Sequence, residues 1–449
     1  MRNLESIGQR GASARVSEEQ PRVANNTNGQ NGQLSGWRPR RPPSRVGRGE
    51  HALSAGLRFV LAVYAASRLF YLISGSLLAY IVPVGWFYRR TPDVPVGTLN
   101  IWSHWDGIWY TQIAGEGYGA SAPASTAFFP LYPLLVRSFA ELFGGPLTQQ
   151  ALSVWAPLIS LILLPFALYF IYQIALDGWD ERVASGTVLI LAFFPTTFFL
   201  NAAYTESLFL ALSAGSLWAM RVRRDLLLAC VLAGFAAATR NVGVFLVVPL
   251  LYEWVERGGL AEGRERWRVV YLALVPSGLV AYMGYLWVRF GDPLLFYSAQ
   301  EFWNRRHTGP LALVTDIFGE AYGSLQRLFG AQPPADSALG GVIERIHGAN
   351  DAYALLFLLF TIALFGMGFR ALPLSLSLYT LLLIISAVSY GKPATPLMGF
   401  PRYILVAFPL FITLATLLED RRAMGTWLSF SAAVSLVFCA FFVSWRFVA

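Results

Sequence analysis

A chain of 449 residues that is 55% hydrophobic and 15% aromatic, with only 13% charged residues, falls outside the range of soluble domains and within that of polytopic membrane proteins. Its net charge of +8 is carried by arginine, Lys392 being the one lysine. The arginines occupy the N-terminal region and short loops between apolar runs, which argues against a nucleic-acid surface and fits the cationic bias of cytoplasmic membrane loops.

Residues 1–50 are rich in Arg, Asn, Gly, Gln, Ser and Pro and lack aliphatic clusters, so they are expected to form a disordered, arginine-rich tail. The stretch is too long and polar for a signal-peptide n-region, and nine arginines before residue 50 place the tail in the cytoplasm. Residues 51–449 then read as one integral membrane domain. Apolar runs occur at 56–83, 151–176, 183–200, 204–220, 226–239, 241–256, 269–289, 352–369, 374–390, 402–418 and 426–446. Set against a hydrocarbon core about 30 Å thick, they predict about eleven transmembrane helices, within a range of 9–13. With the N-terminus inside, the short loops 177–182, 221–225, 257–268, the Arg370 turn and 419–422 fall on the cytoplasmic side and are mostly basic. The outer face receives the long loops 84–150 and 290–351, together with the turns at Asn201, Arg240 and 391–401. The expected fold is therefore an all-α polytopic membrane protein whose long outer-face loops carry short helices.

The unusual chemistry gathers on that face. In His104-Trp105-Asp106-Gly107, Asp106 is either a general base or the N-cap of a helix over 109–114. A helix N-terminus would also keep the carboxylate ionised. Glu116, between two glycines, is either a second carboxylate for a hydroxyl or cation or a solvated turn residue. Glu206, in Tyr204-Thr205-Glu206-Ser207, sits at the edge of hydrocarbon, where it requires a partner or a wet cavity; capping by Thr205 and Glu206 is the alternative. Arg68 lies mid-span, at a cost of at least ~2.5 kcal/mol, and calls for an acid, a lipid phosphate or snorkelling. Arg240, Arg402, Lys392 and Arg305-Arg306-His307 converge on the outer face and suit a phosphodiester or pyrophosphate head group. Cys230 and Cys439 lie in separate apolar runs and read as core residues. Neither nucleotide-binding loops nor Cys-x-x-Cys nor metal-spaced histidines occur. No metal site or tightly bound cofactor is expected, although the sequence leaves a divalent ion open.

His104-Trp105-Asp106-Gly107, the Ile113-Ala114 to Gly117-Tyr118 spacing and Ala127-Phe128-Phe129-Pro130-x-x-Pro133 resemble the PIG-V-type GPI mannosyltransferase 2 family. So do Phe194-Pro195-x-x-Phe198, Tyr204-Thr205-Glu206-Ser207, Ala238-Thr239-Arg240-Asn241 and Pro401-Arg402-Tyr403, in the family's order. The resemblance implies a glycosyltransferase C fold and an inverting transfer of mannose or a related sugar. The donor would be a polyprenyl-phosphate sugar and the acceptor a lipid-linked glycan or another outer-face molecule. It makes Asp106 the base, with Glu206 and Glu116 as further catalytic candidates. The candidate substrate contacts are His104, Trp105, Arg68, Tyr204, Arg240, Asn241, Lys392 and Arg402. The nearly lysine-free composition suggests a GC-rich bacterial source and hence a plasma-membrane protein whose acceptor is not a GPI anchor. A transporter or lipid flippase that uses Arg68 and Glu206 along a pathway is the alternative, although no internal repeat supports it.

Overall fold

The computed structural model describes residues 50–85, 97–119, 122–260, 263–305, 310–330, 338–389 and 391–448. The predicted tail (save Glu50), Arg306 and His307 lie outside the described residues. In chain order the helices are α1 Glu50–Ile81, α2 Asp106–Glu116, α3 Leu131–Leu142, α4 Gln149–Gly178, α5 Glu181–Ala192 and α6 Glu206–Trp218. They continue as α7 Leu226–Thr239, α8 Val247–Glu256, α9 Arg264–Trp267, α10 Ser277–Phe290, α11 Leu295–Phe302 and α12 Pro310–Phe329. The last six are α13 Ala338–His347, α14 Asn350–Gly368, α15 Leu374–Ser389, α16 Phe400–Tyr403, α17 Pro409–Leu417 and α18 Arg421–Val443. Among the described residues the only extended pairing is an isolated bridge between Lys392 and Thr395.

All eleven apolar runs fold as helix, but not as eleven uninterrupted spans. Among the described residues, four helices (α1 from Ala55, α4, α14 and α18) are long and apolar enough to cross a membrane singly. Two bent pairs, Arg268–Leu274 with α10 and Phe400–Val406 with α17, raise the number to six. The breaks have a local cause. Pro276 and Pro409 interrupt the bent pairs, and Pro195 follows the end of α5; proline lacks the N–H that a continuing helix requires and disfavours helical geometry in the residue before it. Starts are equally local: Asp180 Oδ1 accepts from Val183 N at 2.8 Å and Asp225 Oδ1 from Leu228 N at 3.0 Å, capping α5 and α7. Leu69, Ile73 and Leu77, spaced one turn apart along α1, are each more than half exposed. Such a stripe would be a liability in water, and on an integral membrane protein it faces lipid.

The main apolar core is shared by α1, α4–α7, α15, α17 and α18. A second cluster, with Tyr110 and Ala114 of α2, Tyr132 and Val136 of α3 and Leu152 and Ala156 of α4, fastens the first long loop to the bundle. The buried Tyr132 hydroxyl donates to Ala156 O at 2.7 Å. That loop thus carries the helices α2 and α3, and α2 is clamped between the bundle and its own aromatic residues.

After α7 the chain reverses at Arg240-Asn241 and turns into a tight helical segment, Asn241–Leu246. A Cβ on Gly243 would lie 2.4 Å from the Ala236 carbonyl carbon and the Ala237 nitrogen, so only glycine lets the chain fold back here. Gly243→Ala is expected to destabilise the protein by about 1–3 kcal/mol through forced backbone displacement. Thermal unfolding in detergent tests this: an unchanged midpoint would show that the turn relaxes freely.

Candidate active site

The His-Trp-Asp-Gly segment enters α2 through Trp105, which holds φ +56° and ψ −117°, a region that non-glycine residues rarely occupy. Trp105 is the N-cap residue and makes no side-chain cap, so Asp106 is the first helical residue rather than the cap. Its backbone N–H donates to the Tyr204 hydroxyl at 3.3 Å. The carboxylate is turned elsewhere: Asp106 Oδ2 accepts from Arg402 Nη1 at 2.7 Å, with the Asp106 side chain 30% exposed.

Glu206 likewise opens α6, and Thr205 does not cap it. Thr205 Oγ1 instead accepts from Arg240 Nε at 2.8 Å. The Glu206 side chain is fully buried, with Oε1 2.5 Å from Arg240 Nη2 and 3.1 Å from Arg402 Nε. Arg402 therefore lies between the two carboxylates, with its guanidinium 5.0 Å from the Tyr204 ring and 5.1 Å from the Tyr403 ring. A charge this deep persists only when it is paired and hydrogen-bonded. The short helix α16 delivers it from Gly399 at φ +86°, where a Cβ would press within 2.9 Å of the Tyr403 ring.

Arg305, just beyond α11, directs both terminal nitrogens to the Tyr403 hydroxyl at 3.4 Å, and Arg402 Nη2 reaches the same oxygen at 3.4 Å. These groups open onto a cavity of about 760 Å³ whose wall includes Asp106, Arg240, Asn241, Arg305, Lys392, Arg402 and Tyr403. One side of it is aromatic: Trp109 stacks on Phe128 at 5.7 Å, and Trp303 meets Trp109 edge-on at 5.2 Å. Four cations line this cavity, against Asp106 and Glu206, which pair with two of them, while the third carboxylate, Asp351, is paired with Arg327 outside the lining. The surplus suits an anion.

Several expected site residues take other roles. Arg68 is buried outside the cavity, donating to Asn201 Oδ1 at 2.8 Å and Ala192 O at 2.9 Å. Carbonyl oxygens satisfy it rather than an acid or a lipid phosphate, so it ties α1 to the Thr197–Asn201 turn. Glu206, the other residue of the alternative pathway, is paired through Oε1 with Arg240 and Arg402. Glu116 is exposed at the end of α2, beside Gln112 Nε2 at 3.4 Å, and does not line the cavity. Tyr204 is buried behind Asp106, while Asn241 is exposed at the rim. His104 packs on the far side of its loop, stacked on Trp445 at 3.8 Å, with Nδ1 3.2 Å from Phe442 O. Sequence reasoning missed Tyr403 and Asp351, both on the cavity wall. Tyr403 was legible as the neighbour of Arg402; nothing local marks Asp351. Among the described residues no group of three His, Cys, Asp or Glu side chains converges as metal ligands.

Residues 94–256, which include Asp106, Glu206 and Arg240, match the family described as mannosyltransferase (PIG-V). This stretch of the chain is similar to that family. GPI mannosyltransferase 2 of Drosophila melanogaster is 33% identical over 111 residues, 24% of each chain. The protein of the same name from Schizosaccharomyces pombe is 23% identical over 225 residues, 45% of this chain and 47% of that one. The matches thus span less than half the length of these relatives. An oligosaccharyltransferase from Archaeoglobus fulgidus aligns in structure with a TM-score of 0.41 and 13% identity, over 84% of this chain and 55% of that one.

Burial pushes the His104 pKa down to about 3, against the Phe442 carbonyl, which favours the proton. The unfolded chain therefore binds a proton at His104 that the folded protein refuses, between about pH 6.5 and pH 3. Its contribution to stability is complete above that window and lost as the pH falls through it. Burial lowers the His347 pKa as well, so the comparison must be with the parent. The expected result is a melting temperature that drops between about pH 7 and pH 4 and a shallower drop in His104→Phe; identical pH profiles would contradict the buried neutral imidazole.

Proposed function

We propose that this protein is a membrane glycosyltransferase of the glycosyltransferase C type. In this reading it transfers mannose or a related sugar from a polyprenyl-phosphate donor to a lipid-linked glycan or another outer-face acceptor, with inversion at the anomeric carbon. The observation that carries it is the Asp106 carboxylate, held by Arg402 and facing a cavity lined by four cations and, on one side, by aromatic rings. The similarity of residues 94–256 to the mannosyltransferase (PIG-V) family supports the sugar class, and the basic short loops support an outer-face site with the N-terminus inside.

In the proposed step the acceptor hydroxyl oxygen attacks the anomeric carbon from the face opposite the phosphate. The bond between that carbon and the phosphate oxygen breaks, its electron pair stays with the phosphate, and Asp106 takes the hydroxyl proton. The donor phosphodiester carries one negative charge, and the departing polyprenyl phosphate develops a second. Cations fixed before the reaction stabilise the added charge more than the ground state and thereby lower the barrier. Arg305 and Lys392 are the candidates for that contact, since Arg240 and Arg402 are already paired with Glu206 and Asp106. Glu206 is assigned a positioning role: fully buried, it fixes both arginines.

Asp106→Asn is expected to lower transfer from labelled polyprenyl-phosphate mannose to a glycolipid acceptor panel by about 10²–10⁴-fold. Acceptor binding should persist in that variant. Transfer at the parental rate would remove Asp106 as base. A parent protein that moves lipid between leaflets but transfers no sugar would overturn the enzyme reading altogether.

A further inference from the structure

The cavity has a second wall, remote in sequence from the arginines, that the proposed chemistry does not use. Asn350 and Asp351, at the start of α14, share it with Phe447 and with Trp105, the residue next to the base. The rings of Trp105 and Phe447 meet edge to face at 5.3 Å. Asp351 Oδ2 is 3.2 Å from Arg327 Nη2, with the Asp351 side chain 11% exposed and that of Arg327 51% exposed. Arg327 thus pairs with the carboxylate from its outer side while Asp351 borders the cavity.

Phe447 is firmly presented. His347 Nε2 lies 2.7 Å from the Phe447 carbonyl oxygen, which joins this segment to the residues just before α14. One residue earlier, the buried Arg446 donates to Glu344 Oε1 at 2.9 Å and to Pro83 O at 2.7 Å. The segment after α18 therefore passes beneath the His104-Trp105-Asp106 loop as a strap, anchored to both long loops.

We infer that Trp105, Phe447, Asn350 and Asp351 form a subsite for a hexose ring. A pyranose presents a C–H face and a rim of hydroxyls. The first is matched by a rigid aromatic surface, and the second by carboxylate and amide oxygens that accept two neighbouring O–H donors. A lipid phosphate finds no match here, because Asp351 repels it. The inference rests on the glycosyltransferase reading for its consequence in turnover, but sugar binding itself is measurable without turnover.

The test is titration of the purified full-length chain in detergent with methyl α-mannopyranoside, read by saturation-transfer NMR and tryptophan fluorescence. The parent is expected to bind. Asp351→Ala is expected to weaken binding by about 10- to 100-fold, the loss typical of hydrogen bonds to a charged group. Phe447→Leu weakens it as well, and Phe447→Tyr restores it. Asp351→Asn, which keeps the shape and the Arg327 contact, gives a smaller loss and shows that the effect is not unfolding. A parent that fails to bind the glycoside, or Asp351→Ala and Phe447→Leu variants that bind it like the parent, would overturn the subsite. Parental sugar binding without transfer would instead leave the subsite standing and sink the transferase reading. In the transfer assay, a raised KM for the acceptor alone assigns the subsite to the acceptor sugar, and one for the donor alone to the donor sugar. Unchanged KM values for both in a protein that transfers would remove the subsite and leave the transferase reading intact.

Discussion

Arg402 is the group around which the rest of this site is arranged. Its side chain is only 6% exposed, and it bridges the carboxylates of Asp106 and Glu206. Removing such a charge from water costs several kcal/mol, and the cost is offset only by close, well-oriented partners. Each partner comes from a different part of the chain: Asp106 from the start of α2, Glu206 from the start of α6, and Arg240 beside Glu206 from the end of α7. The three helices must therefore end at one place and depth. The functional consequence follows directly. Two arginines are paired from within the protein, Asp106 borders the cavity, and Arg305 and Lys392 line it outside those pairs.

Backbone features serve the same constraint. Gly399 and Gly243 sit where any Cβ would collide with the adjoining ring or backbone, and they deliver Arg402 and Arg240. Trp105 adopts a positive φ that lets its ring face the strap while the next residue begins a helix. Non-glycine strain of this kind persists only when surrounding contacts enforce it. Here the contacts are the Trp105–Phe447 pair and the His104–Trp445 stack. The aromatic wealth that first marked the chain as a membrane protein thus has a second use, since its rings brace the loop that holds the carboxylate.

Much of this was legible in the sequence, and the failures have physical reasons. Apolar runs marked every helix-forming segment of the bundle, because hydrocarbon demands a length and polarity that the sequence shows openly. Their continuity was not legible to the same degree: Pro276 and Pro409 bend segments that composition alone reads as straight. Glu206 was legible because a charge at the edge of hydrocarbon needs a partner, Asp106 from its His-Trp-Asp-Gly setting, and Arg240 and Arg402 as cations gathered on one face. Which partner each takes was not visible, since Asp106 and Arg402 are 296 positions apart and no periodicity links them. Arg68 shows the limit of that logic: it needed a partner and found the Asn201 side-chain oxygen and the Ala192 carbonyl. Glu116 carried the right chemistry in the right loop, yet α2 turns its far end away from the cavity. Asp351 and Phe447 lie in ordinary local sequence and acquire meaning only when the strap brings them beside Trp105.

The most direct measurement is a double-mutant cycle on the buried pair: parent, Glu206→Gln, Arg402→Gln and the double variant, compared by unfolding free energy in one detergent. If Arg402 is held by Glu206 as described, each single change is costly, on the order of 3–5 kcal/mol where a buried charge loses its partner. The double variant then loses clearly less than the two singles combined, because residues in one ion network are not additive. Additive losses would contradict the account, for they would mean that the two side chains do not depend on each other and that the site is organised by something else.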